Sequence, residues 1–270
     1  MKSLIAERLS IRNNPVATIW TDTKPENAIQ YSPGQQGCCM ALFAKAVKDG
    51  DVVVFDRQTC GCHIGTACLG FGKLLETYQF DKNCFYYSYS VGNEKWEVGR
   101  ETVEKLEKEI PPQFKDVFIH GMRMKKNVED ARIFFEEMTY VTIKEKYVVM
   151  KPLDMVDLEK ELVEVITFVV TPHQFSALVL FSNYSNSRMD NVIIPPTSGC
   201  GSVSLFPYIE NNKMFPRAVA GMVDLTTRSI VRNQLGDNCL TFSLPVSKYL
   251  EMEKDAEGSL LDIDWHLEYN

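Results

Sequence analysis

Val163-Glu164-Val165-Ile166-Thr167-Phe168-Val169-Val170 runs directly into Thr171-Pro172-His173-Gln174, and this stretch decides the class of fold. Apart from Glu164, every residue of the first eight is β-branched or aromatic, as a buried strand requires. Pro172-His173-Gln174 then opens a helix over Phe175–Asn183. A strand feeding straight into a helix is the alternation of a mixed α/β protein.

Outward from there, similar runs predict strands at Val16–Trp20, Asp51–Phe55, Val117–Ile119, Tyr147–Met150, Asn191–Ile194, Ala218–Val223 and Leu240–Leu244. Helical spacing marks Cys39–Val47, which ends on Lys48-Asp49-Gly50, and Glu101–Ile110, stopped by Pro111-Pro112. Further helices fall near Ser247–Lys254 and, short and amphipathic, over Met1–Leu9. Phe85-Tyr86-Tyr87-Ser88-Tyr89 alternates like a strand and reads as core or cleft lining. The expected class is α/β (mixed α+β), a mixed β-sheet flanked by helices. It forms a single domain over residues 1–270, compact or built as two intimate lobes, with no low-complexity linker and no internal repeat.

Composition narrows the function classes. Hydrophobic residues make up 45% and charged residues 24%, an ordinary globular mixture. A net charge of −7 argues against nucleic acid and anionic membranes as partners. The apolar runs around Val165–Val170 and Ala177–Phe181 are far shorter than the ~20 residues of a membrane span. The first nine residues are charged where a signal peptide needs an apolar core. The expectation is therefore a cytoplasmic protein whose eight cysteines are mostly reduced thiols rather than a disulfide framework.

Free cysteine is often a small buried hydrophobe, and Cys68 and Cys239 fit that description. Four others differ in context. Cys38 follows Gly37, Cys60 and Cys62 flank Gly61, and Cys200 stands between Gly199 and Gly201. Glycine admits backbone close to a bulky inorganic ligand and frees amides to donate to sulfur. Cys38 and Cys200 also fall at expected helix N-termini, where the dipole favours thiolate. Val52–Phe55 leads into Thr59-Cys60-Gly61-Cys62, and Val192–Ile194 into Thr197-Ser198-Gly199-Cys200. Each is a strand delivering a cysteine beyond its C-terminal end, where open α/β sheets place ligands.

Four thiolates suffice for a four-iron, four-sulfide (4Fe-4S) cluster, and Cys38, Cys60, Cys62 and Cys200 supply them, with Cys84 a fifth candidate. Cys39 is expected to point away, because adjacent helical residues diverge by roughly 100°. Zinc is the inorganic rival, with His63 completing a cysteine-rich tetrahedron, although the paired knuckles of structural zinc modules are absent. A Cys60–Cys62 redox pair and a metal-free binding or sensing domain are further alternatives. The redox readings call for a redox protein or a small molecule as partner.

Other motifs fail. Gly70-Phe71-Gly72-Lys73 lacks the rest of a phosphate loop, and His120, His173 and His266 stand alone in the sequence. No acid–base pair can be named, and the reaction, if any, stays open.

Taken together the segments resemble the prokaryotic family catalogued as domain of unknown function 169. The resemblance covers essentially the whole chain. It begins with Asn14-Pro15-Val16-Ala17 and Gly37-Cys38 before a helix, then Thr59-Cys60-Gly61-Cys62 leading to Leu69-Gly70-Phe71-Gly72 and Cys84-Phe85-Tyr86-Tyr87. It continues through Lys146–Leu153, the Pro172-x-Gln174 turn, Asn191-Val192-Ile193-Ile194-Pro195 and Gly199-Cys200. After Cys-Gly-Cys this chain has His63-Ile64-Gly65, where the family pattern has proline and glycines. The resemblance implies a fold-level identity and a cysteine pattern, and no reaction.

Overall fold

The computed structural model describes residues 2–35, 37–76, 81–106 and 112–265. In chain order the main elements are α1 (Leu4–Arg8), β1 (Val16–Thr21), α2 (Cys39–Lys48), β2 (Val53–Phe55) and α3 (His63–Cys68). Then come α4 (Lys82–Tyr89), α5 (Glu97–Leu106), α6 (Pro112–His120), α7 (Val128–Glu136), β3 (Tyr147–Pro152), β4 (Val163–Val170) and α8 (Pro172–Phe181). The chain continues through β5 (Val192–Ile193), a π-helical turn (Gly201–Leu205), α9 (Phe206–Asn211) and β6 (Ala218–Gly221). It closes with α10 (Leu225–Leu235), β7 (Leu240–Pro245), α11 (Val246–Lys254) and a 3₁₀ turn (Leu260–Asp262). The chain divides into two compact units, residues 1–71 with 141–270, and residues 72–140.

The first unit is an α/β unit built on a seven-stranded mixed sheet in the order β2-β3-β1-β4-β7-β6-β5. All pairings are antiparallel except β5 with β6. β4 forms over the residues expected, and Thr171 caps α8 in a reciprocal box with Gln174, ahead of Pro172 in the first turn. In the β4–β7 register Ile166 faces Leu244, Phe168 faces Phe242 and Val170 faces Leu240. Period-two alternation puts these side chains on one face, with Ala17, Ile19 and Val149 from neighbouring strands. Ile5 of α1, Leu178 and Phe181 of α8, and Tyr249 and Met252 of α11 cover that face and form its core.

The opposite face carries small polar residues. Thr18 pairs with Val165, Thr167 with Ser243, and Gly221 with Thr241. The Thr167 hydroxyl lies 3.0 Å from that of Ser243. The π-helical turn packs here against β4, β6 and β7, and α2 packs on β2 and β3. A Cβ on Gly221 would meet the Ser202 hydroxyl at 2.1 Å, so the turn sits directly on β6. This small-residue face is the floor below the cysteines.

The second unit is helical. Leu75, Tyr86, Ala131 and Phe135 form its buried centre, with Phe85, Tyr89 and Phe134 packed around them. Buried Asn93 donates to the carbonyls of Cys84 (3.1 Å) and Phe118 (2.8 Å), tying α4 to α6.

Two expected strands are corrected in this unit. Phe85–Tyr89 lies in α4, where the Asp81 side chain accepts the Asn83 amide and the Ser88 hydroxyl bonds the Cys84 carbonyl at 2.7 Å. Val117–Ile119 lies in α6. The aromatic and β-branched runs had suggested strands, and helix capping and tertiary packing override that preference. Pro112 opens α6, its missing amide proton costing nothing in a first turn. The helix expected over Glu101–Ile110 begins earlier, at Glu97, and residues 107–110 lie outside the described residues, as does His266. Among the described residues no helix is long and apolar enough to cross a membrane.

Candidate functional site: a buried cysteine cluster

Three stretches of the first unit deliver the cysteines. Cys38 is the N-cap of α2 and Cys39 its first residue. Cys60 and Cys62 sit in the loop after β2, with Cys62 capping α3, and Cys68 ends that helix. Cys200 immediately precedes the π-helical turn. Cys39, Cys60, Cys68 and Cys200 are buried, and Cys38 and Cys62 are partly exposed.

The shared strand-end expectation for Cys60 and Cys200 is corrected here. β2 and β5 are the two outermost strands, and the pairing senses make them run in opposite directions. Their C-terminal ends therefore lie at opposite edges and opposite ends of the sheet. The thiols meet only because the chain after each strand returns over the small-residue face, where α3 packs on the π-helical turn. The Ser204 hydroxyl fastens that contact, 2.9 Å from the Cys68 carbonyl.

Two close contacts define the cluster. The Cys39 and Cys60 sulfurs are 3.5 Å apart. The Ser198 hydroxyl lies 3.4 Å from the Cys68 sulfur and 3.2 Å from that of Cys200. Charge on Cys200 bears on Cys38, Cys39 and Cys62, and charge on Cys60 bears on Cys200. Cys38, Cys60, Cys62 and Cys200 are thus brought into one electrostatic neighbourhood, and Cys39 and Cys68 join them. Cys84 belongs to the second unit, where burial pushes its thiol up to about 12 and its sulfur faces the Gly99 carbonyl at 3.9 Å. Cys239 lies apart from these contacts, its sulfur 3.6 Å from the Gly236 carbonyl.

Cys39 does not point away. A divergence of roughly 100° holds between two helical residues, but Cys38 is an extended N-cap (φ −96°, ψ 127°) and precedes the helix. Adjacent residues across a cap are free to face the same way. Cys68 carried no local signal in the sequence, and its role in the cluster follows from the approach of Ser198 and Cys200, 130 and more residues later.

The flanking glycines have packing roles. Gly61 adopts φ +73°, and a Cβ there would come within 2.8 Å of the Gln35 carbonyl and the Gly37 amide. Gly65 stands where a Cβ would lie 2.2 Å from the Cys39 sulfur and 3.3 Å from that of Cys60. Side-chain atoms of Tyr31, Thr227 and Thr197 occupy the space beside Gly37, Gly199 and Gly201.

Electrostatics also departs from expectation. Burial pushes the Cys38 thiol up to about 11, with the charge of Cys200 adding to it. The Met40 and Ala41 amides of the helix N-terminus act the other way but are outweighed. Cys62 is raised by burial and by Cys200, and Cys200 by its hydrogen bond with Cys68 and by burial. Cys39 is raised because its thiol donates to the Cys60 sulfur, while Cys60 is lowered by that same hydrogen bond. Tyr31, which donates to the Cys38 carbonyl at 3.0 Å, is pushed up to about 12, mainly by burial. Among Cys38, Cys39, Cys60, Cys62 and Cys200, only Cys60 has its thiol shifted toward the ionised form.

A pH dependence follows for the metal-free chain. The unfolded Cys38 thiol ionises near its ordinary 9.0 and the folded one near about 11. The folded state therefore binds the extra proton between these values, and stability present below pH 9.0 is lost as the pH rises toward about 11. The urea midpoint of the metal-free chain should fall through this window. It should fall less steeply in Cys38→Ser.

Among the described residues, no three histidine, cysteine, aspartate or glutamate side chains are set as a group able to hold a metal ion. The donor chemistry nevertheless fits a soft metal: the neighbourhood is rich in sulfur, and the Cys39–Cys60 contact would have to open on loading.

A mixed-sheet α/β unit with a buried, multi-segment cysteine cluster, joined in one chain to a small helical unit, is the class these features define. The family described as DUF169, uncharacterised ArCR, matches residues 4–255, and the chain belongs to it. No curated protein and no solved structure matches the chain.

Proposed function

We propose that this protein binds a 4Fe-4S cluster through Cys38, Cys60, Cys62 and Cys200 and serves a redox or electron-transfer role. The observation that carries the reading is the gathering of six thiols from three separated stretches into one largely buried neighbourhood. Small hydrophobes would fill such a space without ionisable groups in mutual reach. Asp224, which bears on Cys38, and Asp56, which bears on Cys60, add further negative potential. A soft cation at the cluster reverses that balance, because metal binding displaces thiol protons and converts mutual repulsion into ligation. When bound, an iron–sulfur group supplies one-electron transfer. The chain's own residues hold the thiolates and direct backbone amides at sulfur, as Gly65 does toward Cys62 at 3.5 Å. The partner would be a redox protein or a small redox-active molecule.

The metal-free binding reading rested on Phe85–Tyr89 as pocket lining. Phe85, Tyr86 and Tyr89 pack on Phe134 and Phe135, and Tyr87 stacks on Trp96, inside the helical unit. Zinc with His63 is the remaining inorganic alternative.

Anaerobic purification from iron-replete cells tests the proposal. The expected product is brown, absorbs broadly near ~400 nm, and contains iron and acid-labile sulfide in equal amounts. Colourless protein free of iron overturns it, and stoichiometric zinc without sulfide transfers the site to that metal.

A further inference from the structure

The geometry points to Cys39 and Cys60 as a reversible dithiol–disulfide pair that closes when a peroxide-class oxidant meets the metal-free chain. Three observations on separate segments converge on it. The two sulfurs are 3.5 Å apart, so closing to a bond of ~2.05 Å requires a small movement of each. Cys39 opens α2 and Cys60 lies in the loop after β2, 21 residues away, so the linkage is not the strained ring of a Cys-x-Cys pair. Gly65 lies against both sulfurs and leaves no side chain that could wedge them apart. Cys62 is the less suited partner: its own sulfur accepts the Gly65 amide, and Cys60 meets the Cys62 carbonyl instead.

The chemistry balances with hydrogen peroxide as oxidant. The Cys60 thiolate attacks one peroxide oxygen, the O–O bond breaks, and hydroxide leaves and is protonated to water. The resulting sulfenic acid is attacked at sulfur by the Cys39 thiolate. The S–S bond forms, the S–O bond breaks, and a second hydroxide leaves as water. Two thiols lose two electrons and two protons, and one peroxide becomes two waters. An exogenous dithiol reverses the change by exchange. Closure requires Cys60 free of metal, so the pair belongs to the unloaded chain.

The test uses the full-length chain, chelator-treated and reduced, then exposed to stoichiometric hydrogen peroxide and mapped by mass spectrometry after non-reducing digestion. A Cys39–Cys60 linked peptide, with the loss of two hydrogens and recovery on reduction, is the expected result. In Cys39→Ser that linkage is gone and Cys60 accumulates as a dimedone-trappable sulfenic acid. In Gly65→Ala, which pushes the Cys39 sulfur aside, linkage slows about tenfold or more. Linkage only between Cys60 and Cys62 or between Cys68 and Cys200, or unchanged linkage in Gly65→Ala, overturns the proposal. Iron analysis of Cys39→Ser keeps the two readings separable, since Cys39 is outside the proposed ligand set. Full iron with no linkage supports both, and no iron even in the wild type leaves the disulfide result to stand or fall alone.

Discussion

Cys200→Ser, purified anaerobically beside the wild type, is expected to retain more than about tenfold less iron and sulfide. Cys200 comes from a stretch far from the other three proposed ligands, and its charge bears on Cys38 and Cys62 alike. Serine keeps the volume and the hydrogen bonding beside Ser198 but supplies a poor ligand for a soft metal. Circular dichroism should therefore be unchanged while the ~400 nm absorbance disappears. Cys239→Ser is the matched control, because Cys239 bonds the Gly236 carbonyl away from the cluster contacts. Equal iron in Cys200→Ser and the wild type would remove Cys200 from the site and with it the single-cluster reading.

Phe242→Ala is expected to destabilise the first unit by about 3–5 kcal/mol, the range for emptying a fully buried aromatic site. Phe242 is wholly inaccessible, sits opposite Phe168 across β4 and β7, and meets Phe175 of α8 edge to face with centroids 5.9 Å apart. Both central strands and their covering helix line the space the ring leaves, so little can collapse into it. Denaturant unfolding checks the figure, and a loss below about 1 kcal/mol would mean the face repacks far more freely than such cores do. Because Phe242 points away from the cysteine face, the folded variant should bind iron like the wild type.

Much of the scaffold could be read from local sequence. The β-branched run Val163–Val170 and the turn at Pro172 located β4 and α8, since both signals act within a few residues. Tyr147, Ala218 and Leu240 likewise begin strands where the β-branched runs placed them. The glycine-flanked cysteines marked four of the six thiols that meet.

What local signals could not decide was anything set by neighbours distant in the chain. Phe85–Tyr89 has strand-like side chains, yet the Asp81 cap and the packing of Tyr86 and Tyr89 on Phe135 make it helix. Cys39 faces the cluster because its neighbour is an extended cap, a backbone state that residue spacing does not encode. Cys68 joins because a π-helical turn brings Cys200 and Ser198 to the end of α3. The sequence by itself determined the strands of the sheet, the turn that opens α8 and the family, because propensity, periodicity and turn chemistry are local. Only the tertiary structure decided which sulfurs are neighbours, because β2 and β5 stand at opposite edges and their loops must cross one sheet face to meet.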